Sequence, residues 1–270
     1  MRFALISDVH FGPAAYHQGK LRKLTHHAGD LTRRFVERMN ADDKPELVFN
    51  LGDVIEDESR ERDLAAYGEF VSILSGLDAR VAHVAGNHDK INLTVQDLNE
   101  LWRQSGPLHY SFDLGGVHFL VLDTVEIKDH SIHLPEEQRV FAEVDLAATT
   151  LPTLVFMHHP ASEQRLIGNR WFERAPHVCR VAERGALRRV FEQSGKVLAV
   201  FNGHVHWNHF DVIAGIPYVT LQSLTENLDD DAPGRAANAH AVCDLDDRRL
   251  VIEVRGQEPQ HYQVELRRPA

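Results

Sequence analysis

Five short polar motifs recur along the chain, and each directly follows an apolar run with the length of a buried strand. Ligands of α/β sheets bind outside the carboxyl ends of the strands, so five such ends would deliver these side chains to one rim. This convergence constrains the fold more than any other feature, because it requires strands that end together. The motifs are Asp8-Val9-His10, Gly52-Asp53, Gly86-Asn87-His88-Asp89, His158-His159-Pro160 and Gly203-His204-Val205-His206.

Apolar strands alternate with stretches of helical periodicity in the first third of the chain. This β-α-β-α-β order predicts parallel pairing and an α/β fold, a layered sandwich with mixed sheets. Gly115-Gly116 predicts a hairpin turn, Pro135 begins a further helix, and antiparallel strands follow His206. No linker divides the chain, so residues 1–270 are predicted to form one domain. The first elements are strands over 3–6, 47–51 and 81–85 and helices over 21–39 and 64–74.

Charge and composition exclude several classes of protein. The net charge of −11, from 40 acidic and 29 basic residues, argues against a groove for a nucleic acid polymer. No apolar run approaches the ~18 residues that a membrane span needs. Asp8 and His10 end the first apolar run too early for a signal peptide, and Cys179 and Cys243 form no disulfide framework. We therefore expect a cytoplasmic protein that has no membrane partner.

The residue types in the motifs indicate a metal site. Residues two apart in an extended segment face the same side, so Asp8 and His10 are predicted to face one ion. The same argument applies to His204 and His206. Imidazoles combined with carboxylates and an amide oxygen suit Mn, Fe, Zn or Co, whereas the absence of thiolates argues against a structural zinc site. A carboxylate can bridge two cations with its two oxygens, and Asp53 is the candidate for that role.

Each motif taken singly has an ordinary structural interpretation. Asp8-Val9-His10 and Gly52-Asp53 suit turns at strand ends, and Asn87 suits a loop that leads into a helix. A lone buried histidine is more often a hydrogen-bonded core residue than a ligand. The five motifs together, in this order, favour the metal site.

The same five motifs resemble those of the calcineurin-like metallophosphoesterase superfamily, whose pattern reads D-x-H, G-D, G-N-H-[D/E], H and G-H-x-H. The resemblance spans Asp8 to His206. It implies a four-layer α-β-β-α sandwich with two mixed sheets. It also implies a dinuclear centre that holds two divalent ions, with Mn or Fe favoured.

The resemblance further implies the role of each site residue. His158 is preferred to His159 as a ligand because the superfamily places the ligand two residues before Pro160, and His159 is the alternative. His88 would lie beside the leaving group and act as the catalytic residue. Asp89 is expected to cap a helix or, alternatively, to orient His88. The implied ligands are Asp8, His10 and His206 for the first metal, Asn87, His158 and His204 for the second, and Asp53 between them.

The implied reaction is the hydrolysis of a small-molecule phosphoester by a hydroxide that the two metals generate. The compact size and the block over 157–160 resemble the bacterial phosphodiesterases that act on cyclic nucleotides or glycerophosphodiesters. Segments 215–219 and 225–227 are similar to manganese-dependent ADP-ribose/CDP-alcohol diphosphatases, which makes a nucleotide-diphosphate pyrophosphatase the alternative. A non-catalytic, metal-bearing scaffold is a second alternative. A homo-oligomer is left open.

Residues 161–180 lack periodicity and are predicted to be a loop that lines the substrate site. Its arginines, Arg165, Arg170 and Arg174, would meet phosphate or a carboxylate, and Trp171 or Phe172 would stack on a base. The alternative is that these residues fold the loop onto the body of the protein. Residues 11–20 are a second candidate wall.

Overall fold

Two six-stranded mixed sheets pack face to face in the computed structural model, which describes residues 1–266. The first sheet contains three parallel strands extended on one side by three antiparallel ones. In spatial order its strands are β16 (Gln260–Glu265), β15 (Arg249–Arg255), β14 (His240–Leu245), β1 (Arg2–Ile6), β4 (Leu47–Asn50) and β5 (Arg80–His83).

The second sheet has four parallel central strands and an antiparallel strand at each edge. Gly115 and Gly116 form the predicted turn between its first two strands along the chain. In spatial order the strands are β12 (His209–Ile213), β13 (Ile216–Thr220), β11 (Val197–Asn202), β10 (Thr153–Met157), β7 (Val117–Leu122) and β6 (Tyr110–Leu114).

Helices cover the outer face of each sheet. Apolar side chains alternate along β1, so that Phe3 and Leu5 pack between the sheets while Ala4 and Ile6 pack beneath helices. The layers therefore follow the predicted α-β-β-α order. The helices on the first sheet are α1 (Ala28–Arg38), α2 (Arg60–Leu74) and α3 (Val95–Trp102), and those on the second are α4 (Glu136–Ala148) and α5 (Arg184–Ser194).

The predicted helix over 21–39 is wrong at its start. Residues Lys20–Lys23 form strand β3, which pairs with β2 (Ala15–His17) in a small hairpin. Leu24 N also donates to Thr225 O at 2.8 Å, so pairing with a distant segment outweighs the local helical periodicity. A second small hairpin joins β8 (Val125–Glu126) to β9 (Ile132–His133).

The chain passes from the ends of β1, β4, β5, β10 and β11 directly into the five motifs, as predicted. Helix α3 was not predicted, although Thr94 and Asp97 form a capping box at its start that the sequence displays. Cys179 and Cys243 are both free and buried. Within residues 1–266, no helix combines the length and apolarity needed to cross a membrane.

Candidate metal centre

The structure brings the three residues predicted for the first metal into contact. His10 Nε2 lies 3.1 Å from His206 Nε2, and His206 Nε2 lies 3.4 Å from Asp8 Oδ1. All three side chains are buried. Imidazole nitrogens and a carboxylate oxygen thus face one point at the end of β1.

Asp53 and His158 form the link to a second group. His158 Nε2 lies 3.1 Å from Asp53 Oδ2, while His158 Nδ1 donates to the carbonyl of Leu51 at 2.8 Å. That hydrogen bond fixes the ring so that Nε2 faces the carboxylate. Asp8 Oδ, Asp53 Oδ and His158 N atoms lie within 4.8 Å of one another, so the two groups share one region.

His204 and Asn87 complete the second group. His204 lies with His158 and His159 in a set whose ligand atoms are within 4.8 Å of one another, and its Nε2 donates to Val178 O at 3.1 Å. Asn87 lines the same cavity as Asp53 and His204, and its Oδ1 is buried without a hydrogen-bond partner among residues 1–266.

His159 was the alternative to His158. Its Nδ1 pairs with Thr124 Oγ1 at 2.7 Å, and its Nε2 is buried and has no hydrogen-bond partner in the part of the chain that the structure describes. His158 Nε2 faces Asp53, the predicted bridge, and this contact makes it the better placed of the two histidines.

The backbone at the motifs is not extended, contrary to the prediction from two-residue spacing. Strands β1 and β11 end at Ile6 and Asn202, before their motifs begin. His204 and His206 consequently face different groups rather than one ion. Five of the seven predicted ligands occupy the left-handed region, namely Asp8 (φ 51°), His10 (51°), Asp53 (53°), His204 (69°) and His206 (61°).

Two glutamates orient the histidines of the first group. His10 Nδ1 lies 3.0 Å from Glu56 Oε2, and His206 Nδ1 lies 2.8 Å from Glu226 Oε2. Each carboxylate accepts the Nδ1 hydrogen, so that Nε2 is the atom that would bind a metal ion when the imidazole is neutral. Sequence reasoning missed both, although Glu56 stands three residues after Asp53.

Buried negative charge supports a cation at this centre. Burial would raise the pKa of Asp8, but His206 outweighs it and lowers the pKa to about 2. His158 likewise outweighs burial and holds the pKa of Asp53 well below its usual range. Both carboxylates are thus ionised although nearly inaccessible. Buried charges need compensation, which the protonated imidazoles of His206 and His158 supply without metal and which bound divalent cations would supply in their place. The donor set and the unpartnered Asn87 Oδ1 fit two divalent ions.

His88 stands beside this centre with a carboxylate of its own. Its Nδ1 lies 2.7 Å from Asp57 Oδ1, and its ring lies 4.9 Å from that of His10. Burial lowers the pKa of His88, but the charge of Asp53 and the hydrogen bond to Asp57 outweigh it and raise the pKa.

Asp89 neither caps a helix nor orients His88, so both interpretations were wrong. Its carboxylate accepts hydrogen bonds from the backbone N–H groups of Asp53 (3.0 Å), Val54 (2.8 Å) and Gly86 (2.9 Å). Asp89 therefore holds the Gly52-Asp53 and Gly86-Asn87 turns together.

A cavity of about 320 Å³ opens above the centre. Trp171 and Phe172 of the 161–180 loop line it, together with Tyr16 and His17 of the β2–β3 hairpin. Trp171 Nε1 also donates to both carboxylate oxygens of Glu226 at 3.2 Å.

The arginines of the 161–180 loop occupy different positions from its aromatic residues Trp171 and Phe172. Arg165 and Arg174 are exposed, and Arg170 donates to Asn227 O at 3.1 Å. Among the cavity-lining residues that the structure describes, none is an arginine. Arg170 Nε also lies 3.7 Å from Glu226 Oε1, which agrees with the predicted contact to a carboxylate, whereas the predicted contact with phosphate has no support in this arrangement.

Comparison with known proteins identifies relatives. A probable cyclic nucleotide phosphodiesterase of Rhodopseudomonas palustris is 26% identical over 250 residues, which cover 89% of this chain and 85% of that protein. The serine/threonine-protein phosphatase CPPED1 of Danio rerio is 28% identical over 225 residues, covering 76% and 68%. A dimetal phosphatase structure from Danio rerio superposes with a TM-score of 0.80 at 18% identity, covering 98% of this chain and 99% of that one.

A profile described as calcineurin-like phosphoesterase matches residues 1–208, which include all five motifs. This match confirms the family and the hydrolase class predicted from the motifs. The chain belongs to the calcineurin-like phosphoesterase family.

Proposed function

We propose that this protein is a phosphodiesterase that depends on two divalent metal ions and acts on a small nucleotide or glycerophosphodiester. The observation that carries the proposal is the pair of buried ligand groups that meet at Asp8 and Asp53. Their nitrogen and oxygen atoms, together with the unpartnered Asn87 Oδ1, suit divalent ions such as Mn or Fe, and such a donor set is typical of a catalytic site rather than a structural one.

The ligands divide between two ions in this proposal. Asp53 would bridge them, since it lies 3.1 Å from His158 and is grouped with Asp8. When bound, the ions would activate a water and neutralise charge on the phosphoryl oxygens. Asp8, His10 and His206 would hold the first ion, and Asn87, His158 and His204 the second.

His88 would donate a proton to the leaving oxygen. It lines the cavity beside Asn87, and Asp57 fixes its ring through Nδ1 so that Nε2 is the atom left for the substrate. The negative charges of Asp53 and Asp57 favour its protonated form. Positioned general acids typically contribute ~10²–10⁴ in rate.

The cavity favours a small diester over a polymer. Its volume of about 320 Å³ suits a nucleotide-sized molecule, and Trp171, Phe172 and Tyr16 offer aromatic surface for a planar group. The relative named as a probable cyclic nucleotide phosphodiesterase supports the same class. The two free, buried cysteines support a reducing compartment such as the cytoplasm.

Hydrolysis of an aryl phosphodiester and the matching monoester by metal-stripped protein, with and without Mn²⁺, tests the proposal. We expect Mn²⁺ to restore diester cleavage well above monoester cleavage, and Asp53→Asn to abolish it. Asp244→Asn, which alters an exposed carboxylate paired with Arg2, is the matched control. Preference for the monoester would favour a phosphatase, in line with the CPPED1 relative. Cleavage of CDP-alcohols alone would favour the pyrophosphatase, and no cleavage with any divalent ion would favour a scaffold.

A further inference from the structure

Lys23 is a buried lysine in the wall of the proposed active site. Only 5% of its surface is exposed. Lysine is almost never buried to this degree unless its charge is paired. It ends strand β3, where hydrogen bonds of 2.8 Å tie the backbone of Leu24 and Arg22 to segment 225–227. The position of Lys23 is therefore fixed by the fold.

Its ammonium group has unused hydrogen-bonding capacity. Lys23 Nζ lies 2.5 Å from Glu56 Oε2 and 3.5 Å from His10 Nδ1. His10 Nδ1 donates to the same glutamate at 3.0 Å, so it offers Lys23 no lone pair. An ammonium has three donors, and one serves Glu56. Lys23 lines the cavity, so an anion bound there would accept hydrogen bonds from the remaining N–H donors of the ammonium.

The surroundings of Lys23 resemble a third cation site. His10, Glu56 and His88 present ligand-type atoms within 4.8 Å of one another. The Lys23 ammonium already supplies a positive charge to this group and would repel a further divalent ion. The face of Trp171, 5.7 Å from Nζ, also favours a cation there.

We propose that Lys23 binds a non-bridging oxygen of the substrate's phosphoryl group, as a fixed positive charge beside the two metal ions. The inference rests on the proposed function and adds a substrate contact on the His10–His88 side of the cavity. Charge-assisted hydrogen bonds to phosphate are short and strong. Glu56 holds the ammonium in place while it orients His10.

Titration of inorganic phosphate into Mn²⁺-loaded protein tests this contact without requiring turnover. Lys23→Gln is expected to keep two Mn²⁺ per chain, counted by mass spectrometry, and to weaken phosphate binding by roughly tenfold or more. Lys23→Arg should retain most of the affinity because it keeps the charge. Lys20→Gln is the matched control, since Lys20 lies on the same hairpin but pairs with Asp230 outside the cavity.

Wild-type phosphate affinity in Lys23→Gln, with both metals bound, would overturn the proposal. If that variant binds metal more weakly, the titration is run at a Mn²⁺ concentration that restores two ions per chain. Weak phosphate binding at full metal occupancy supports the contact, and wild-type binding contradicts it. A wild-type protein that hydrolyses no ester counts against the proposed function alone, because phosphate binding is measured separately.

Discussion

His206 Nδ1 donates a hydrogen bond of 2.8 Å to Glu226, and the same carboxylate accepts the indole N–H of Trp171. One side chain thus orients a proposed metal ligand and anchors the 161–180 loop. Glu226 belongs to the segment that pairs with Lys23. The β2–β3 hairpin, the 161–180 loop and the candidate metal centre therefore all contact this residue.

Glu226→Gln should weaken metal binding about 10–100-fold, the usual effect of removing a partner of a ligating histidine. The amide oxygen still accepts a hydrogen bond but lacks the charge that raises the basicity of His206. Competition with a chelator measures the change. Glu173→Gln, at an exposed position in the same loop, should bind metal as the wild type does. Equal affinity in the two variants would contradict the orienting role.

His88→Ala should keep both metals and lower kcat by ~10²–10⁴, as expected for loss of a general acid. The loss should be larger for an alkyl diester than for a nitrophenyl diester, whose leaving group needs little protonation. Steady-state rates on the two substrates measure this difference. An equal loss on both would argue that His88 acts on substrate binding instead.

Gly203→Ala should disrupt the centre because no space exists for a side chain there. An added Cβ would overlap Ser7 Oγ and lie 2.5 Å from Asp8 Oδ2. Overpacking of this kind costs ~1–3 kcal/mol, and we expect reduced metal occupancy in the purified variant. At Gly68 in helix α2, an added Cβ would meet no atom of residues 1–266 within 4 Å apart from neighbouring backbone, so Gly68→Ala should instead raise the free energy of unfolding by about 0.5–1 kcal/mol. Full metal occupancy in Gly203→Ala would refute the packing argument.

His118 should make stability depend on pH. Burial lowers its pKa, but hydrogen bonds to Asp145 and Asp113, at 2.7 and 2.6 Å, outweigh burial and raise it above the usual 6.5. A raised pKa stabilises the fold fully below pH 6.5 and progressively less as the pH rises through the folded-state value.

The stability advantage of the wild type over His118→Gln should therefore be largest near pH 6 and shrink under alkaline conditions. Urea unfolding at several pH values measures it. His261→Gln, at an exposed position on edge strand β16, is the control substitution. A stability advantage of the wild type that grows with pH would show that folding lowers the pKa of His118 instead of raising it.

The sequence predicted a layered sandwich with mixed sheets and the convergence of the motifs because both depend on local patterns, whereas the four-layer order came from the family resemblance. Apolar runs such as 154–157 identify buried strands, and a polar residue after each run marks the strand end. The arrangement of His204 and His206 was predicted from an extended backbone and failed, because both residues adopt positive φ angles that periodicity does not reveal.

The orienting residues could not be predicted for a different reason. Glu226 stands 20 residues after its partner His206 and is carried to the centre by pairing between β3 and segment 225–227. Lys23 was assigned to a helix on the spacing of Leu24 and Leu31, and its burial depends on the same pairing. Pairing between segments that are distant in sequence produces no hydrophobic periodicity in either segment.

The left-handed backbone conformation of five proposed ligands lowers the stability of the fold at the residues that catalysis requires. These residues are Asp8, His10, Asp53, His204 and His206. Each such residue other than glycine costs on the order of 1 kcal/mol. Glycine at these positions would relieve that strain and also remove a proposed ligand. A laboratory selection that rewards heat resistance alone would therefore accumulate inactive variants at the centre first, whereas one that also demands turnover would have to find its gains in the distant layers.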